Sequence, residues 1–169
     1  VAGGTGKGDG VRMISCQVFS NNVEADYEGV ANAILYAADM GASVLQCSWC
    51  FSPYVSGINS DADFKRLLQV EYEAIKYFVE KSNCAAMDGG IVIFAAGNDG
   101  VDAAGYPSAY NEYIAVTAFG PDGLPTAYTN YDKGCNIAAP GGEKDLGYES
   151  GRILSTLPDN QYGYAEGTS

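Results

Sequence analysis

A serine hydroxyl becomes a nucleophile when a base takes its proton. Ser169, closing the tripeptide Gly167-Thr168-Ser169, is a candidate for that role, yet the 169-residue chain contains no histidine. The base for Ser169 is therefore expected outside this polypeptide. A second chemical feature is the run Ile91-Val92-Ile93-Phe94-Ala95-Ala96-Gly97-Asn98-Asp99-Gly100. It reads as a buried strand that emerges into small residues and then an asparagine. Small residues let a substrate approach the backbone closely. The Asn98 carboxamide at such a strand end can donate to a developing oxyanion. The same residue types also favour a plain turn, and taken alone that reading is the stronger one.

Other chemistries fit less well. There are five cysteines, Cys16, Cys47, Cys50, Cys84 and Cys135. An odd count in a chain of this size does not read as a disulfide framework. Cys47-x-x-Cys50 has neither a second cysteine pair nor a histidine to complete a zinc site, so small buried residues at a strand end are the better reading. No metal site is expected. The glycine-rich start, Gly3-Gly4-Thr5-Gly6-Lys7-Gly8-Asp9-Gly10, fails as a phosphate loop: the required glycine before Gly6-Lys7 is replaced by Val1. It fails as a dinucleotide fingerprint because Asp9 stands at the third glycine position, and it precedes the first strand. A surface loop and no cofactor are expected.

Composition narrows the partners. A net charge of -12 disfavours nucleic acid, which needs clustered Lys and Arg; it reads as solubility. Apolar and charged fractions of 47% and 18% are those of a globular protein. No apolar run is long enough to span a membrane. Oligomeric state is not legible in the sequence.

The elements that must position Asn98 and Ser169 follow from periodicity. Val11 to Phe19 reads as a buried strand. Glu24 to Met40 carries apolar residues at helical spacing, with Gly41 at the C-terminal cap position. Ser43 to Trp49 is a second strand, and Cys50 to Asn59 a loop. Ser60-x-x-Asp63 resembles a capping box opening one helix with Phe64, Leu67, Leu68, Ile75, Phe78 and Val79 on one face. Gly90 to Ala96 and Tyr113 to Phe119 are further strands. From Gly120 onward the chain reads as loops and short strands at the sheet edge, with one at Arg152 to Thr156. Continuous apolar strands alternating with helices predict an α/β fold: three layers, a mostly parallel sheet with helices on both faces. Sites in such sheets lie beyond the carboxyl ends of the strands, near Ser48-Trp49-Cys50, Gly97-Asn98-Asp99 and the turns after Phe119. One domain over 1–169 is expected, with no linker dividing it.

Further short segments follow in order: Gly105-Tyr106-Pro107, Ala139-Pro140-Gly141 and Ile153-Leu154-Ser155-Thr156-Leu157-Pro158. Each is weak alone, but the ordered set resembles the subtilases, the subtilisin-like serine endopeptidases. Val1-Ala2-Gly3 matches the end of the family's His-Gly-Thr-His-Val-Ala-Gly motif, so the chain looks like an internal fragment, truncated at both ends. It would begin just after the catalytic His, lacking the Asp and His segment and the helix after the Ser. Ser48-Trp49 matches the strand end lining the primary specificity pocket, and Ala96-Gly97-Asn98 the oxyanion-hole segment. Gly105-Tyr106-Pro107 matches the pocket floor, and Gly167-Thr168-Ser169 the start of the nucleophile motif. The resemblance implies that Ser169 and Asn98 are catalytic and that Ser48, Trp49, Cys50, Gly97 and Gly105 bind substrate.

The implied reaction is hydrolysis of a protein or peptide substrate through an acyl-enzyme, with a triad in the order Asp, His, Ser. No Asp of this chain fits that triad, since Asp9, Asp26, Asp39 and Asp99 all follow the position of the His. The isolated chain is expected to be inactive. A non-catalytic pseudoprotease that binds or scaffolds is the alternative, and the retained Asn98 and Ser169 argue against it. Cys50 and Phe51 stand where family members usually carry Gly. Either these side chains narrow or redirect the first pocket, or the insertion before Asp61 shifts the strand end. Structural calcium occurs in the family, but the glycine-rich stretch here is too short and too little acidic to support it. Members are mostly secreted or periplasmic, so the resemblance implies export.

Overall fold

The computed structural model describes residues 11–19 and 27–169. Val1-Ala2-Gly3, the glycine-rich start and the first residues of the expected first helix lie outside the described residues.

Helix α1 (Tyr27–Asp39) buries Val30, Ala31, Ile34, Ala37 and Ala38 along one stripe. Gly41, with φ of +77°, closes it in a Schellman motif: the Ala42 N–H donates to the Ala37 carbonyl and the Gly41 N–H to the Ala38 carbonyl, both at 3.0 Å. Helix α2 (Asp61–Leu67) starts as its sequence implies. The Ser60 hydroxyl accepts the Asp63 N–H at 3.1 Å, and the Asp63 carboxylate takes the Ser60 hydroxyl proton donor at 2.9 Å. The single helix expected after Ser60 is in fact two. Leu68 leaves helical geometry at φ −118° and ψ 41°, and α3 (Gln69–Lys81) follows it. No Pro or Gly signals this break.

The strands β1 (Val44–Cys47), β2 (Ile91–Ala95), β3 (Ile114–Phe119) and β4 (Ile137–Pro140) form one parallel sheet in that order. The parallel α/β architecture is the one expected. A separate antiparallel pair joins β5 (Ile153–Leu157) to β6 (Gln161–Ala165). Asp159 and Asn160, at positive φ of 60° and 56°, lie in the three-residue turn between them. Val11 to Phe19 is a correction: these residues form no strand. A strand needs a neighbour's N–H and C=O groups as well as an apolar run, and this segment finds none among the described residues.

The core lies between the helices and one sheet face. Ile34, Phe64, Ile75, Phe78, Val92 and Phe94 are buried together there. Phe64 meets the rings of Tyr72, Tyr106, Tyr110 and Tyr113 at centroid distances of 5.6 to 6.2 Å. Each buried ring of this kind stabilises by roughly 1.5–3 kcal/mol. Among the described residues the helices cover this face only. Register puts Val44, Ile91, Ile93, Val116 and Ile137 on the other face. There Val44, Ile91 and Ile137 are 48%, 39% and 57% exposed.

Candidate active site

All four parallel strands point their carboxyl ends the same way, so the segments leaving them gather at one edge. Ser48-Trp49-Cys50 leaves β1 and Ala96-Gly97-Asn98-Asp99 leaves β2. The segment after β6 brings Gly167-Thr168-Ser169 to the same place. Ser48, Trp49, Cys50, Gly97, Asn98, Asp99, Thr168 and Ser169 line one cleft of about 270 Å³. A larger hollow of about 560 Å³, lined by Glu73, Lys76, Tyr77, Glu80 and Lys81, is a shallow dip on the flank of α3 and touches none of these residues.

Thr168 joins Asn98 to the serine segment. Its N–H and its hydroxyl both donate to Asn98 Oδ1, at 2.8 and 2.9 Å. The Gly97 N–H donates back to Thr168 Oγ1 at 3.2 Å. With Oδ1 occupied twice, the Asn98 amide group is left as the open donor, and it donates to no described residue. Charge that develops beside it would be met by a preorganised N–H. Ser169 is anchored to the β1 end: the Ser48 hydroxyl donates to the Ser169 carbonyl at 3.0 Å, and the Ser169 hydroxyl reaches the Ser48 carbonyl at 3.4 Å. Gln46 in turn donates to the Ser48 hydroxyl.

Gly97 needs to be glycine. Its φ is +117°, and a Cβ there would stand 2.4 Å from Asn130 Nδ2. Gly105 lies behind the cleft wall. Its N–H donates to the Ala96 carbonyl at 3.0 Å, and a Cβ on it would stand 2.1 Å from the Phe51 carbonyl oxygen and 2.9 Å from Cys50 Sγ. Cys50 therefore fills the space between Gly97 and Gly105, and its side chain forms part of the cleft wall. Burial first, then the Asp99 charge, push the Cys50 thiol up to about 11, against a backbone hydrogen bond at Gly105 that lowers it. It stays a thiol at neutral pH and is a poor nucleophile. Cys47 is buried on the helix side of β1, and burial raises its thiol further still. Both cysteines are free. Among the described residues no group of three or more His, Cys, Asp or Glu is placed to hold a metal ion.

Trp49 lines the cleft and stacks edge-on against Phe94 with ring centroids 5.7 Å apart. Its indole N–H donates to the buried Glu71 carboxylate at 3.3 Å. Glu71, Thr168 as a strut, Tyr128 and Asn130 were not legible as site residues. Of these, Thr168 alone sits inside a motif that the sequence singles out.

A model of the subtilase family matches residues 2–169. Thermitase of Thermoactinomyces vulgaris is 29% identical over 157 residues, which are 93% of this chain and 46% of that protein. The major intracellular serine protease of Bacillus subtilis is 29% identical over 153 residues, 88% of this chain and 39% of that one. The chain thus spans less than half the length of these relatives. Among solved structures, a lanthipeptide protease superposes with a TM-score of 0.70 at 20% identity, over 90% of this chain and 50% of its own. The epidermin leader peptide processing serine protease of Staphylococcus aureus does so with a TM-score of 0.65 at 23% identity, over 90% and 42%. At these identities the structures establish the fold.

Proposed function

This chain belongs to the subtilase family of serine proteases, and from that premise we propose that it supplies the nucleophile and the oxyanion donors of a serine endopeptidase. The Ser169 oxygen attacks the carbonyl carbon of a peptide bond while its proton passes to a histidine from outside these 169 residues. The tetrahedral intermediate's oxyanion is held by the Asn98 amide and the Ser169 N–H. Collapse breaks the C–N bond, the histidine returns the proton to the leaving amine, and an acyl-enzyme on Ser169 remains. Water, deprotonated by the same histidine, attacks the acyl carbon; the bond to Ser169 Oγ breaks, the histidine returns the proton to that oxygen, and the acid leaves. The steps require a nucleophile, a base and donors, all of which are organic groups.

The observation that carries this reading is the double hydrogen bond from Thr168 to Asn98 Oδ1. It ties the strand-end carboxamide, itself a lining residue of the cleft, to the residue before Ser169 and leaves its N–H groups free to donate. Cys50 in the cleft wall supports a first pocket that favours small side chains in the substrate. Relatives include both a cell wall-associated and an intracellular protease of Bacillus subtilis, so the family spans both compartments. Export is part of the proposal, and localisation of the full-length protein tests it. Among the described residues no helix is long and apolar enough to cross a membrane.

The test uses the full-length protein and a fluorophosphonate probe, which labels only activated serines. Labelling at Ser169 and peptide hydrolysis, both abolished in Ser169→Ala, are expected. The 169-residue polypeptide alone, having no histidine, should do neither. Hydrolysis that survives Ser169→Ala would overturn the assignment. A full-length protein that binds peptide but neither labels nor cleaves would be the non-catalytic scaffold instead.

A further inference from the structure

The two loops that meet in the cleft are held from behind by one short segment, residues 128–131. Its backbone clamps the loop after β2. The Asn130 N–H donates to the Gly97 carbonyl at 3.0 Å, the Gly100 N–H to the Tyr128 carbonyl at 2.9 Å, and the Tyr131 N–H to the Val101 carbonyl at 3.0 Å. The Asn130 side chain is fully buried, at 0% exposure, and completes the clamp. Its Oδ1 accepts the Asp99 N–H at 2.8 Å and the Val101 N–H at 3.5 Å. Its Nδ2 donates to the Ala96 carbonyl at 3.1 Å and the Asp99 carboxylate at 3.4 Å. Both donor hydrogens and both acceptor sites of one carboxamide are therefore spent on the turn that presents Asn98.

Two residues earlier, Tyr128 holds the opposite side. Its hydroxyl donates to the Gly142 carbonyl at 2.7 Å and accepts the Gly167 N–H at 3.0 Å. The Gly167 N–H also reaches the Gly141 carbonyl at 3.1 Å. A Cβ at Gly141 would stand 2.7 Å from the Tyr128 hydroxyl, so the turn after β4 is shaped around it.

We propose that Asn130 and Tyr128 are positioning residues for the reaction: Asn130 sets the oxyanion loop, Tyr128 sets the nucleophile segment, and their shared backbone sets the distance between Asn98 and Ser169. The inference rests on the roles proposed above for those two residues. Catalytic groups need placement within about 0.5 Å, and hydrogen bonds to buried, fully satisfied groups supply that stiffness. Neither side chain touches the reacting atoms.

The experiment compares the full-length wild type with Asn130→Ala, Tyr128→Phe and the double variant. Active sites are counted by fluorophosphonate labelling, so that kcat is expressed per competent site. Affinity for a peptide boronic acid, which forms a tetrahedral adduct on the serine, is measured alongside. Losing one oxyanion donor costs about 10²–10³ in rate, so a displaced donor should cost at least about tenfold. Asn130→Ala should lower kcat per site by at least about tenfold and boronate affinity in parallel, with KM within about twofold. Tyr128→Phe should lower kcat per site severalfold. The double variant should lose less than the product of the two, because both act on one distance. If Asn130→Ala does not fold, Asn130→Asp keeps the acceptor and the volume and removes the donors.

Unchanged kcat per site in both single variants, with loss confined to melting temperature or labelled fraction, overturns the inference. If the wild type itself neither labels nor cleaves, the reading of the site has failed, and amide exchange decides the clamp separately. Faster exchange at Asp99 and Val101 in Asn130→Ala, and at Gly167 in Tyr128→Phe, upholds it. Unchanged exchange at these amides overturns it.

Discussion

At 2% exposure, the Glu71 carboxyl lies beneath the cleft residue Trp49, with the Trp49 indole N–H its one hydrogen-bond donor among the described residues. Burial pushes its pKa from 4.5 up to about 7, and the Trp49 hydrogen bond opposes that shift. The folded carboxyl therefore holds its proton at pH values where the unfolded one has lost it. Its contribution to stability is complete below about pH 4.5 and is lost as pH rises through about 7. At 1.36 kcal/mol per pKa unit, the loss is about 3 kcal/mol. Urea midpoints at pH 4 and pH 9 should show the wild type losing that amount relative to Glu71→Gln, which cannot ionise. Equal pH slopes in the two proteins would refute the assignment. Helical spacing puts Glu71 on the inward stripe, three residues after Leu68 and four before Ile75, but no nearby residue type marks a partner for its carboxyl, and only the packing of α3 brings Trp49 onto it. Ser60 is the opposite case, because its partner Asp63 is three residues away and the pairing can be read directly.

Helix ends were more legible than helix lengths. Ser60 and Gly41 act through hydrogen bonds that close within a few residues, so the residue types specify them wherever the helix goes. Replacing Ser60 by Ala should cost about 1 kcal/mol, read as a lower urea midpoint with an unchanged slope. No measurable shift would mean that the Asp63 carboxylate alone holds the first turn. The break at Leu68 and the lack of strand pairing at Val11 to Phe19 among the described residues were not legible, for a shared reason. Both segments have the local pattern of a continuing element, and both outcomes depend on what lies across from them. Strand β4 was similarly hidden: Ile137 to Pro140 is short, and it becomes a strand because β3 offers it an edge. Asn130 and Tyr128 sit in an irregular stretch whose composition reads as loop. Their partners are 31 and 39 residues away.

For the whole molecule, the parallel sheet presents one face to the helices and leaves the other with Val44, Ile91 and Ile137 exposed. Exposed apolar side chains grouped on one face attract apolar ligands. The 169-residue polypeptide should bind a hydrophobic dye such as anilinonaphthalene sulfonate, and a Val44→Lys, Ile137→Lys variant should bind less than half as much. Equal fluorescence from both would show that the face is not open in solution. The chain by itself determined the family, the order of the site segments, the caps, the approximate strands and the lack of a histidine. All of these depend on residue identity and on spacings of a few positions. Tertiary structure alone decided that Thr168 grips Asn98 across 70 residues of sequence, that Cys50 fills the space beside Gly97, and that one buried segment holds both sides of the cleft. Those contacts close loops tens of residues long, and they form only when packing the sheet against its helices offsets the entropy of bringing the ends together.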